Sequence, residues 1–170
     1  TGNDNDWDGA ANDGWLVAYS QGTLELRDNS SFSFGGTVQI GSGSRVYANG
    51  FALNFNSAST LEIAGGTYES TAFSAIGGAV DESGKSTIKI QNGAGLSFSG
   101  TSSTSLGGEL TLDAGSCYVA AGSQFSGNGS LVVAPGSALT VDQNADVDVI
   151  VDNRGLLEPG ASNIARIDLP

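Results

Sequence analysis

The sharpest arrangement of chemically competent residues is Asp4-Asn5-Asp6-Trp7-Asp8-Gly9, a D-x-D-x-D-G run. Alternate carboxylates at this spacing converge on one hard cation, and the glycine permits the tight bend between them. Asp4, Asp6 and Asp8 are therefore a candidate calcium site, with Asn12 or Asp13 as a further oxygen donor. Where a helix-loop-helix calcium motif carries its bidentate glutamate this chain has Trp15, and no flanking helix is evident. The competing reading is a polar, solvated lead-in. Asp142, Asp146, Asp148 and Asp152 offer the paired carboxylates of a glycoside hydrolase, but such a run equally suits a solvated face. A lyase acting on acidic sugars needs clustered cations to neutralise the uronate. The basic residues are Arg27, Arg45, Lys85, Lys89, Arg154 and Arg166; Lys85 and Lys89 are close in chain, whereas Arg45 and Lys89 are expected on different faces. Cys117 is the only cysteine, so no internal disulfide forms, and with no histidine to activate it the expectation is a small buried apolar residue. No catalytic residue is assigned, and the chain reads as a non-enzyme.

Charge and composition narrow the classes further. Six Lys and Arg against 18 Asp and Glu leave a net charge of −12, the opposite of the basic footprint that nucleic acids and anionic membranes require. No apolar run approaches the length of a membrane span, so neither nucleic-acid binding nor membrane insertion is expected. Histidine and methionine are both absent, and only 14% of the residues are charged. Glycine is abundant, at 26 residues in 170, and Val, Leu, Ile and Phe recur in short bursts. That composition describes an all-β chain with many tight turns.

The elements that must position any site follow from a repeat. Apolar-x-apolar triplets occur at Leu16/Ala18, Val38/Ile40, Leu61/Ile63, Ile88/Ile90, Leu110/Leu112 and Leu131/Val133, with Leu156 opening a last one. Their steps are 22, 23, 27, 22, 21 and 25 residues. Two further sets sit seven or eight residues along, as at Leu24, Phe32, Val46 and Leu53. A period-two triplet is a short strand with one buried face. Three per coil, joined by Gly/Ser/Asn turns, make a triangular prism whose strands stack coil on coil. The fold class expected is thus a single-stranded parallel β-helix (β-solenoid) of about seven coils, right-handed like other parallel crossovers. Residues 1–14 form a polar N-terminal cap and 15–170 the solenoid. The long step from 61 to 88 predicts extra residues within Ala75–Ser86, with Asp81-Glu82-Ser83-Gly84-Lys85 as an exposed loop.

Two segments, Ala134-Pro135-Gly136-Ser137-Ala138-Leu139-Thr140-Val141 and Gly155-Leu156-Leu157-Glu158-Pro159-Gly160-Ala161-Ser162, resemble coils of bacterial autotransporter passenger domains and related β-strand-repeat surface proteins. Trp7-Asp8-Gly9, with Trp15 beyond it, is similar to the entry of such domains. The resemblance implies export to the bacterial surface or the medium and a role in adhesion, scaffolding or carbohydrate contact; it carries no catalytic residue over. The expected partners are a surface glycan or protein, or adjacent domains or subunits.

Surface patterns refine these expectations. A flat threonine ladder of the ice-binding kind is not expected, because Gln39, Glu62, Lys89, Thr111 and Val132 make too mixed an outward column. Phe32, Phe34, Phe55, Phe98 and Phe125 fall inward, whereas Tyr47 and Tyr118 fall outward, where a ring can stack on a sugar. The end at Ile164-Ala165-Arg166-Ile167-Asp168-Leu169-Pro170 still reads as strand and lacks an obvious cap. Either the protein continues or this edge docks onto another domain or subunit. Three functions follow: an extracellular scaffold or adhesion module, a carbohydrate-active β-helix (lyase, hydrolase or glycan-binding module), or a self-assembling filament subunit.

Overall fold

A computed structural model of the chain describes residues 15–27, 32–50, 53–100 and 102–159. The candidate calcium residues Asp4, Asp6 and Asp8, the cap at 1–14 and the C-terminal edge from 160 to 170 lie outside the described residues. The strands run in sets of three. The first set is β1 (Trp15–Ala18), β2 (Thr23–Arg27) and β3 (Phe32–Phe34); the second is β4 (Thr37–Ile40), β5 (Arg45–Asn49) and β6 (Leu53–Phe55). The third is β7 (Thr60–Ala64), β8 (Thr67–Ser70) and β9 (Ser74–Ile76), and the fourth is β10 (Ala79–Ser83), β11 (Lys85–Ile90) and β12 (Gly95–Phe98). The fifth is β13 (Ser103–Leu106), β14 (Glu109–Asp113) and β15 (Ser116–Val119). The sixth is β16 (Gln124–Gly127), β17 (Ser130–Val133) and β18 (Ala138–Val141), and the seventh is β19 (Asp146–Val147), β20 (Ile150–Asn153) and β21 (Leu156–Pro159).

Every third strand joins the same sheet, which gives three parallel seven-stranded sheets: one from β1 to β19, a second from β2 to β20 and a third from β3 to β21. This is the parallel β-solenoid that the triplets predict. Alternation does the sorting: Val38, Ile40, Leu61 and Ile63 are buried, while Thr37, Gln39, Thr60 and Glu62 between them face out. Inside, like stacks on like. Val46, Tyr68, Ile88, Leu112 and Val133 form one column through the second sheet and Leu110, Leu131 and Val151 another, and Leu96, Cys117 and Leu139 stand in the third. Phe98 and Phe125 meet edge to face at 4.9 Å.

The register corrects the expected alignment. The first triplet set does not stay on one sheet: Leu16, Val38 and Leu61 belong to the first, whereas Ile88, Leu110 and Leu131 belong to the second. The long step from 61 to 88 is one short coil plus one side of the next. Asp81–Lys85 is accordingly no exposed loop, and Ala75–Ser86 holds the end of β9, all of β10 and the start of β11. Strands β8, β9, β10 and β13 escape a search for apolar triplets because polar residues occupy inward positions. Ser70, Ser74, Glu82 and Thr104 are all buried. Thr87, for the same reason, stacks between Thr67 and Thr111 on the second sheet and not with Thr37 and Thr60 on the first.

Buried hydroxyls also stitch the coils at their corners. Ser86 Oγ donates to Ile63 O at 3.2 Å and accepts from Gly65 N at 3.0 Å. Ser123 Oγ donates to Phe98 O and Ser99 O at 3.2 and 3.0 Å, and Ser137 Oγ accepts from Ala114 N at 3.1 Å. A corner carbonyl or amide out of register with the ladders thereby finds a partner in the neighbouring coil. Glycine is required where backbones touch. A Cβ on Gly108 would lie 2.0 Å from Gly84 O, so the corner between the first and second sheets stacks only without side chains there.

Candidate functional site

The first sheet carries a shallow trough of about 260 Å³ along its border with the second, lined by Tyr19, Gln39, Gly41, Glu62, Asp81 and Ser83 among others. Register builds it. Gln39, Glu62 and Asp81 are direct partners on β4, β7 and β10, so their side chains leave the sheet in one row. Two residues further along each strand stand Gly41, Ala64 and Ser83, whose small side chains leave space beside that row. Tyr19, 56% exposed, closes one end. Its ring lies over Gly41, where a Cβ would come within 2.4 Å of Cδ1.

A hydrogen-bonded chain crosses the coils. Tyr19 Oη donates to Gln39 Oε1 at 3.0 Å, and Gln39 Nε2 donates to Glu62 Oε2. Asp81 is exposed at the other end. Glu82, which alternation turns inward, is only 4% exposed and also lines the trough. Its Oε2 accepts from Gly108 N at 2.9 Å, and its Oε1 has no donor among the described residues. Glu62 and Asp81 make the outward row rich in hydrogen-bond acceptors.

The other candidates disperse or are already satisfied. Arg45 and Lys89, expected on different faces, share the second sheet in adjacent outward rows. The cations there are paired: Arg45 with Glu69, Lys89 with Asp113 at 3.6 Å and Lys85 with Glu109 at 3.9 Å. Arg45 also sits 4.3 Å over the Tyr47 ring, and Arg154 pairs with Asp152 at 2.6 Å. The late aspartates do not converge. Asp146 is on the first sheet, Asp152 on the second, and Asp142 follows the third-sheet strand β18. Among the described residues no group of three or more Cys, Asp and Glu is arranged to hold a metal.

Tyr118 is exposed as expected, and its Oη donates to Asp142 Oδ2 at 2.9 Å, a bond that raises the phenol pKa. Cys117 is wholly buried and unpaired; burial first, then the negative charge of Asp113, pushes its thiol up to about 12. A thiol held protonated is no nucleophile. Sequence reasoning missed Tyr19 and placed Asp81 in a loop. The signal that finds them is the aligned outward row, visible only once β10 is recognised as a strand.

No known protein family matches the chain, and no curated protein or solved structure does. Among the described residues no helix is long and apolar enough to cross a membrane.

Proposed function

We propose that the chain is a non-catalytic, extracellular β-solenoid module of a bacterial surface protein of the autotransporter-passenger kind, serving as scaffold or adhesin. The observation that carries this reading is the pairing of the described cations. Arg45, Lys85, Lys89 and Arg154 each lie beside a carboxylate, and no cluster of them converges on one point as a site that neutralises a uronate or a developing oxyanion needs. The trough on the first sheet is shallow, suited to contact over an area and not to enclosing a reacting bond.

Display of the module on a non-adherent bacterium should confer attachment to glycan-coated or cell-coated surfaces. Attachment no better than that of cells displaying an unrelated solenoid would refute the adhesive role. A second reading, a carbohydrate-active enzyme, is favoured by Glu62 and Asp81 standing side by side on neighbouring strands. Release of reducing ends from polysaccharides, abolished in a Glu62→Gln/Asp81→Asn variant, would replace the first reading with the second.

A further inference from the structure

We infer that the trough on the first sheet is a binding site for a neutral oligosaccharide, which resolves the contact function proposed above to one ligand class and one face. The inference rests on that reading, and it comes from the donor balance of the lining. Glu62 and Asp81, neighbours in the outward row, present carboxylate oxygens that accept, and one N–H of Gln39 Nε2 is already committed to Glu62. A ligand that completes these groups must be rich in donors, as the hydroxyls of a sugar are.

Tyr19 supplies what a sugar needs besides hydrogen bonds. Its ring packs beside Gly41 and its hydroxyl is tethered to Gln39, so an exposed aromatic ring is held at the end of the polar row. The electron-rich face of such a ring accepts the C–H edge of a pyranose. From β1 to β10 the row crosses three strand spacings, roughly 14 Å in all, the scale of a short oligosaccharide. The carboxylates of Glu62, Asp81 and Glu82, and a chain of net charge −12, set the sign. Uronates, sialylated chains and nucleic acids are repelled, and a neutral glycan is not. A lysine-rich peptide also supplies donors, but its binding would depend on charge and therefore on salt.

The test is saturation-transfer NMR followed by calorimetry on the full chain. The probes are neutral pentasaccharides of glucose (β- and α-linked), mannose and xylose, with pentagalacturonate and pentalysine as charged comparisons. The expected result is binding of at least one neutral probe, changed less than about two-fold between low and high salt because no ion pair forms. Tyr19→Ala and Asp81→Ala should each weaken it by about ten-fold or more. Both residues are exposed, so the melting temperature should hold, and a variant that melts early is replaced by Tyr19→Leu or Asp81→Asn. No neutral probe binding, binding unaffected by both substitutions, or binding of a charged probe alone would each overturn the assignment. Attachment of displaying cells without binding of these probes would leave the adhesion module standing and remove the trough as its site. Trough-dependent binding without attachment would do the reverse.

Discussion

Tyr19 and Gly41 show how one side chain gains a fixed pose on an open surface. The ring occupies the volume that a Cβ at position 41 would take, so only glycine leaves it room there. Gly41→Ala should lift the ring without unfolding the coil, since a flexible side chain yields and Gly41 is not held at positive φ. The upfield ring-current shift expected on the Gly41 α-protons would then vanish in Tyr19→Ala and be replaced by a different pattern in Gly41→Ala. Deeper in the prism, Tyr68 is pushed from 10.0 to about 12 and Cys117 from 9.0 to about 12, in both cases chiefly by burial. A raised pKa means that the folded state keeps its proton longer than the unfolded chain. The stability they contribute is therefore complete below pH 9 and lost as pH climbs towards 12, at roughly 1.4 kcal/mol per pH unit for each group. Urea titrations should show this decline, beginning near pH 9 in the native chain and only near pH 10 in Cys117→Val.

The strands are too short to be stable alone, and what they gain comes from the coils above and below. The corner between the first and second sheets is the tightest junction, because Gly84, Gly108 and Gly129 stack backbone on backbone. Gly108→Ala drives a Cβ against Gly84 O and disturbs the amide that holds the Glu82 carboxylate. It should cost about 2–4 kcal/mol, read as a lower urea midpoint. A loss below about 1 kcal/mol would mean that the corner relaxes. The same element explains why β10 is hard to see in the sequence. Its inward positions are Val80 and Glu82, and a search for apolar pairs finds only half of the strand. What makes an inward glutamate tolerable is a backbone amide in the next coil, information that no local window contains.

At the scale of the whole molecule, a parallel solenoid must do something with its two ends. The D-x-D-x-D-G run and the apolar-polar alternation of residues 164–170 lie outside the described coils. If Asp4, Asp6 and Asp8 bind calcium only in the folded chain, calcium must raise the melting temperature by linkage. A rise in millimolar calcium, lost when the three are changed to Asn, would establish the site; identical melts would return the segment to a solvated lead-in. Coil-on-coil association through the tail predicts oligomers that grow with concentration. Light scattering behind size exclusion would show them, and a constant 17.0 kDa species would eliminate the filament.

Sequence alone determined the architecture, because a period-two burial pattern recurring about every 22 residues has one economical packing, a prism of stacked coils. It also determined the acidic character, a net charge of −12, and pointed to a lone cysteine buried as an apolar residue. Which residues share a face was decided only by the tertiary structure. A coil of variable length, 19 residues from Leu61 to Val80 and 24 from Val80 to Thr104, shifts the register without changing the apolar rhythm that a reader follows. Arg45 thus joined Lys89 on one sheet, and Asp81 left its expected loop to stand beside Glu62. The trough exists because of that shift: neighbours on a solenoid face are separated by a whole coil of chain, and only the stacking of backbones fixes which they are.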